Sequence, residues 1–114
     1  MENNEALFAF AALSQPIRLD VFRLLIRAGG AGMQAGAIAT ALDVRRNTLS
    51  ANLSVLANAG LVRRSREGRS IRYFADTEGL RGLLGFLLED CCGGRPELCQ
   101  LIIEDLTTRK GKTA

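Results

Sequence analysis

The chain has no histidine, and its three cysteines, Cys91, Cys92 and Cys99, all fall in one short stretch, LLEDCCGGRPELCQ (residues 87–100). Without histidine, the commonest general base and the commonest zinc ligand are both missing. No export signal is read at the N-terminus. ALFAFAAL (6–13) has the length of a signal-peptide apolar segment, but Glu2 and Glu5 precede it and no basic residue does. No apolar run approaches the roughly 20 residues that a membrane span requires. There are no internal repeats and no linker. An odd number of thiols without an export signal points to a reducing cytoplasm rather than a disulfide framework. A nucleophilic cysteine needs a base or an anion-holding loop, and neither is present, which argues against an enzyme.

What is present is one domain of 114 residues, large enough to fold on its own core. Its hydrophobic content of 47% with 24% charged residues is ordinary for a globular chain. The net charge of +3 is unevenly distributed: Arg45 to Arg72 holds seven arginines and one acid, Glu67, a window of +6 that leaves −3 elsewhere. A basic segment in an otherwise acidic domain favours a polyanionic partner met by one face.

Periodicity predicts helices over 4–13, from Pro16 to Gly29-Gly30, over AGAIATALD (35–43) and over RRNTLSANLSVLANAG (45–60). GAGMQ (30–34) reads as a loop. LVRRSREGRSIRYFAD (61–76) predicts two strands, about 61–66 and 70–75, joined through EGRS. A last helix is expected from Thr77 to Asp90, capped by Asp76. It is apolar nearly all round, at Leu80, Leu83, Leu84, Phe86, Leu87 and Leu88. A core this small covers only one side of it, so the other is expected to meet a second subunit.

A short helix, a tight turn and a longer helix form a helix-turn-helix. Leu49, Leu53 and Leu56 hold the second helix to the core, while Asn47, Ser50, Ala51 and Ser54 face away behind Arg45 and Arg46. Short polar side chains let a helix approach base edges in the major groove, and the two arginines suit phosphate or guanine. Arg63, Arg64, Arg66, Arg69 and Arg72 crowd the hairpin with too few acids to neutralise them, which fits phosphate or minor-groove contact. The expected fold is therefore mainly α with a β-hairpin wing: a winged helix-turn-helix that reads two half-sites as a dimer.

LSQPIRLDVFRLL (13–25), TLSANLSVLANAGLV (48–62) and REGRSIRYF (66–74) resemble the ArsR/SmtB family of metal-responsive winged-helix repressors, over about residues 6–90. The resemblance implies a homodimer formed through the first and last helices, here through Leu7, Phe8, Phe10, Leu80, Leu83, Leu84 and Leu87. It implies binding to operator DNA and release on binding a metal or metalloid. Arg46, Asn47, Thr48, Ser50 and Ala51 take the DNA-reading positions, and Arg66 to Arg72 the wing contacts. The chain departs from the family's pattern in three places. AGMQAGAIA (31–39) offers no metal ligand where many members carry cysteines, the histidines of zinc-sensing members are absent, and Asp43 stands at the usual turn glycine.

The thiols remain. On a continuous helix Cys99 would lie about 10 Å beyond Cys92, too far to share an ion. Gly93-Gly94 and Pro96 allow the chain to fold back, so Cys91, Cys92 and Cys99 can form a three-thiolate cup. Structural zinc normally takes four ligands, whereas a soft trivalent metalloid suits three sulfurs. The resemblance sharpens this toward the arsenite-responsive branch with C-terminal ligands. As(III) is the expected inducer, with Sb(III) fitting the same cup and no organic cofactor implied. The expected division is residues 1–92 for DNA binding and dimerisation and 93–114 for a tail, helical from Glu97 to Leu106, that completes the inducer site. Other readings stay open: cysteines as core filler, a redox pair with Arg95 nearby to favour the thiolate, a cysteine enzyme of arsenic metabolism, or a DNA-binding module without ligand.

Overall fold

The computed structural model describes residues 1–90 and residues 101, 104 and 105. Helix α1 (Asn3–Leu13) leads into α2 (Pro16–Ala28), a 3-10 turn (Gly29–Ala31) and a short strand β1 (Met33–Gln34). Next come α3 (Ala35–Leu42), α4 (Arg46–Asn58), the hairpin β2 (Val62–Glu67) and β3 (Ser70–Ala75), and α5 (Thr77–Gly85). The expected fold is present. Pro16 stands at the first position of α2, and the Gln15 side chain caps it by accepting from the Arg18 N–H at 2.9 Å. Asp43 takes the left-handed conformation between α3 and α4 (φ 53°), as an aspartate can.

Two details differ from the sequence reading. The expected loop before α3 contains β1, which pairs antiparallel with β3 (Met33 opposite Tyr73, Gln34 opposite Arg72) and makes the sheet three-stranded, in the order β1-β3-β2. Two residues are too short to show an alternating pattern, so only the pairing partner reveals them. The α-helical pattern also stops at Gly85, and Phe86–Asp90 continues as a wider π turn, where one α-helix to Asp90 was expected.

The core is aliphatic. Val21, Leu25, Ile38, Leu49, Leu53, Leu56 and Leu61 are fully buried, so α4 is held by the leucine stripe its spacing predicts. The end of α4 and the start of α5 are tied together: the Asp76 N–H donates to the Leu61 carbonyl at 2.8 Å, and the Asp76 carboxylate accepts from the N–H groups of Glu78 and Gly79. Gly79 rests directly on the Gly60 carbonyl, where any Cβ would collide with backbone.

Helix α1 is inverted relative to an ordinary surface helix. Its small residues Ala6, Ala9 and Ala12 face the core, while Leu7 and Phe8 are 58% and 51% exposed. Leu84 on α5 is also exposed, and Phe10, Leu80 and Leu87 are half-buried. Leu83, expected on the interface, is only 3% exposed within its own protomer and supports that surface from beneath. Among the described residues no helix is long and apolar enough to cross a membrane.

Candidate nucleic-acid interface

The side of α4 opposite its leucines is open. Arg45, Arg46, Asn47, Thr48, Ser50, Ala51 and Ser54 are all exposed, while Leu49, Asn52, Leu53 and Leu56 are buried. No side chain caps the helix at Arg45, so its first-turn amides and the two arginines together present positive charge at one end. The Asn47 amide oxygen accepts from the Thr48 N–H at 2.9 Å, and its NH2 makes no bond among the described residues.

The wing stands beside this end. Gly68 (φ 63°) turns the hairpin and sets the register Glu67 to Ser70 and Arg64 to Tyr73. Arg64, Arg66 and Arg69 are exposed and make no ion pair among the described residues. A polar cavity of about 340 Å³ lies between the wing and the helices, lined by Gln34 of β1, by Ala35 and Gly36 at the start of α3, by Arg46, and by Arg69, Ser70, Ile71 and Tyr73. Arg46 of α4 and Arg69 of the wing line the same groove, beside the start of α3, and make a seat suited to a phosphodiester.

Not every wing arginine is equivalent. The Arg72 guanidinium donates to Glu67 Oε1 at 2.7 Å and to the carbonyls of Ala31 and Gly32 at 3.1 and 3.4 Å. Expected as a DNA contact, it ties the hairpin to the turn before β1. Arg63 lies 4.5 Å over the Phe74 ring and is stacked at the base of the wing.

Sequence reasoning missed one polar cluster. Asn52 is the buried polar residue of the described core, 8% exposed. Its Nδ2 donates to the Thr48 carbonyl at 3.0 Å, and its Oδ1 accepts from Arg18 Nη1 at 3.1 Å. The signal was readable: an asparagine at position 52 shares the inward stripe of Leu49, Leu53 and Leu56. The three expected thiol ligands, Cys91, Cys92 and Cys99, lie outside the described residues, as does most of the expected tail. Among the described residues no three His, Cys, Asp or Glu side chains are placed to hold a metal ion.

Comparison with known proteins agrees with this architecture. A helix-turn-helix domain model matches residues 13–65. An ArsR-like transcriptional regulator from Rhodococcus sp. RHA1 is 30% identical with a TM-score of 0.69, covering 90% of this chain and 92% of that one. The homodimeric winged helix-turn-helix DNA-binding domain Mb0332 (fragment 1-100) from Mycobacterium bovis, a possible ArsR-family transcriptional regulator, is 29% identical with a TM-score of 0.61, covering 76% of this chain and 84% of that one. A possible transcriptional regulator for arsenical resistance is 26% identical with a TM-score of 0.59, covering 82% of this chain and 92% of that one. No curated protein gives a significant match.

Proposed function

The chain belongs to the ArsR family of winged-helix transcriptional regulators, and from that premise we propose that it is a metalloid-responsive repressor. It binds operator DNA as a homodimer, with α4 in the major groove and the wing arginines on the flanking backbone. It leaves the DNA when trivalent arsenic or antimony is held by the thiolates of Cys91, Cys92 and Cys99. One observation carries the sensing half: all three thiols of a chain without histidine fall within nine residues directly after α5 and its π turn. Soft sulfur donors without nitrogen partners select a soft ion, and three of them match a trivalent metalloid better than tetrahedral zinc. Similarity to a possible regulator for arsenical resistance supports the same class of inducer.

The outward apolar residues of α1 and α5 support the dimer. Leu7, Phe8 and Leu84 are exposed side chains whose burial against a second copy is favourable. Drawing residues 91–99 together pulls on the end of α5 and so on this surface, shifting population away from the arrangement that fits two half-sites. A coupling of about 1–3 kcal/mol, about 5- to 150-fold in affinity, is enough for regulation.

The test is fluorescence anisotropy on DNA from upstream of its own gene, titrated with arsenite, antimonite, cadmium, zinc and peroxide. Arsenite and antimonite release the protein at the lowest concentrations. Release by peroxide alone, with no response to either metalloid, assigns the thiols to redox sensing. No response to any of them leaves a DNA-binding module without an inducer.

A further inference from the structure

We propose that Arg18 and Asn52 are positioning residues that lock the recognition helix to the dimerisation helix and so set the spacing at which the dimer reads its two half-sites. The inference rests on the assignment of α4 to DNA and of α1 to the dimer surface. Arg18 projects from the first turn of α2 and bridges two elements. Its Nε donates to the Ala12 carbonyl at 2.6 Å and its Nη1 to Asn52 Oδ1 at 3.1 Å. Ala12 lies in the last turn of α1, where carbonyls lack helical partners and a cation is favoured. Asn52 completes the line by donating to the Thr48 carbonyl at 3.0 Å, in the first turn and a half of α4. An unbroken series of directional bonds thus runs from the end of α1 to the part of α4 that carries Asn47, Thr48, Ser50 and Ala51.

The chemistry fits alignment better than adhesion. Ala6, Ala9, Leu49, Leu53 and Leu56 already bury these helices against the core, and apolar contacts tolerate sliding and rotation. The part-buried hydrogen bonds of Arg18 and Asn52 do not, because they are directional and a donor or acceptor left unpaired by a shift is penalised. Arg18 presents two N–H groups in a fixed fork, which a lysine ammonium cannot reproduce. Among the described residues no buried side-chain nitrogen or oxygen lacks a partner, so the clasp is satisfied as built.

The test uses the full chain and an operator selected from random DNA by the wild-type protein. Affinity is measured on that operator and on versions with one base pair added or removed between half-sites. Wild type discriminates against the altered spacings. Arg18→Lys and Asn52→Leu bind the selected operator about tenfold more weakly, a loss of about 1.4 kcal/mol, and bind all three spacings alike. Their affinity for DNA without half-sites and their salt dependence stay at wild-type values. Asn52→Asp keeps the acceptor facing Arg18 and retains spacing discrimination, which rescues the function even where thermal stability falls. Variants that lose stability yet discriminate as wild type does, or a wild type indifferent to spacing, overturn the proposal. If Arg46→Ala leaves operator binding unchanged, the assignment of α4 fails instead, and the two failures are distinct.

Discussion

Replacing Arg69 with alanine separates DNA contact from wing architecture, because Arg69 and Arg72 lie on one hairpin with different surroundings. Arg69 is exposed and lines the same groove as Arg46, with no acid partner among the described residues. Arg72 is engaged with Glu67 and with two carbonyls of the turn before β1. If Arg69 neutralises one phosphate per protomer, Arg69→Ala removes two contacts per dimer, and the slope of log affinity against log salt falls in magnitude by about 1.8. Between about 50 and 200 mM salt, wild-type affinity then drops about 12-fold more steeply than that of the variant. Arg72→Ala is expected to keep the wild-type slope to within about half a contact, since the guanidinium it removes faces protein. The assay is anisotropy on the same operator at four or five salt concentrations. Parallel plots for Arg69→Ala and wild type would refute the placement of the wing on DNA. A slope change confined to Arg72→Ala would mean that the ion pair with Glu67 opens on binding.

Three further outcomes follow from the geometry. Serine at Cys91, Cys92 or Cys99 leaves operator affinity unchanged and abolishes release by arsenite; a Cys99→Ser protein that still responds fully rules out the three-sulfur cup. Phe8→Asp or Leu84→Asp weakens dimerisation by about 2 kcal/mol or more, about 30-fold, as sedimentation equilibrium would detect, and an unchanged dimer would place the interface elsewhere. Gly79→Ala forces α5 away from the Gly60 carbonyl and lowers stability by about 1–3 kcal/mol in urea unfolding; a wild-type midpoint would show that the contact relaxes freely.

The elements that sequence made legible are those whose pattern repeats along the chain. The leucine stripe at 49, 53 and 56, Pro16 at the start of α2, Asp76 before α5 and the hairpin around Gly68 each announce themselves within a few residues. Nonlocal pairings left no such trace. Strand β1 exists only because β3 lies beside it, and Arg72 reads as a surface cation until the turn at Ala31–Gly32 is brought against it. Leu83 and Leu84 are neighbours in an apolar helix, and only packing decides that the first fills the core while the second faces out. Which face of α4 is exposed was readable because exposure there follows helical phase. The clasp between Arg18 and Asn52 spans 34 positions and was missed, although an asparagine among leucines was a local sign of it.

Under the proposed function, the placement of α5 gives a signal at the thiols a route to DNA without a ligand site on the helix-turn-helix itself. The first half of α5 is fixed to the end of α4 through Asp76, Leu61, Gly79 and Gly60, and Leu83 anchors it in the core. Beyond Leu83 it carries the exposed Leu84 and passes into the π turn, which holds the half-buried Leu87 and is followed in sequence by Cys91. The start of α5 is thus tied to the chain just after the recognition helix, while its far end carries the exposed Leu84 and precedes the thiol stretch in sequence. Under the same proposal, a rearrangement at residues 91–99 would act through this end of α5 on how two protomers meet, and so on the separation of the recognition helices. A regulator organised this way loses affinity for paired half-sites while each half keeps its own contacts, so arsenite should weaken binding to a full operator far more than binding to an isolated half-site.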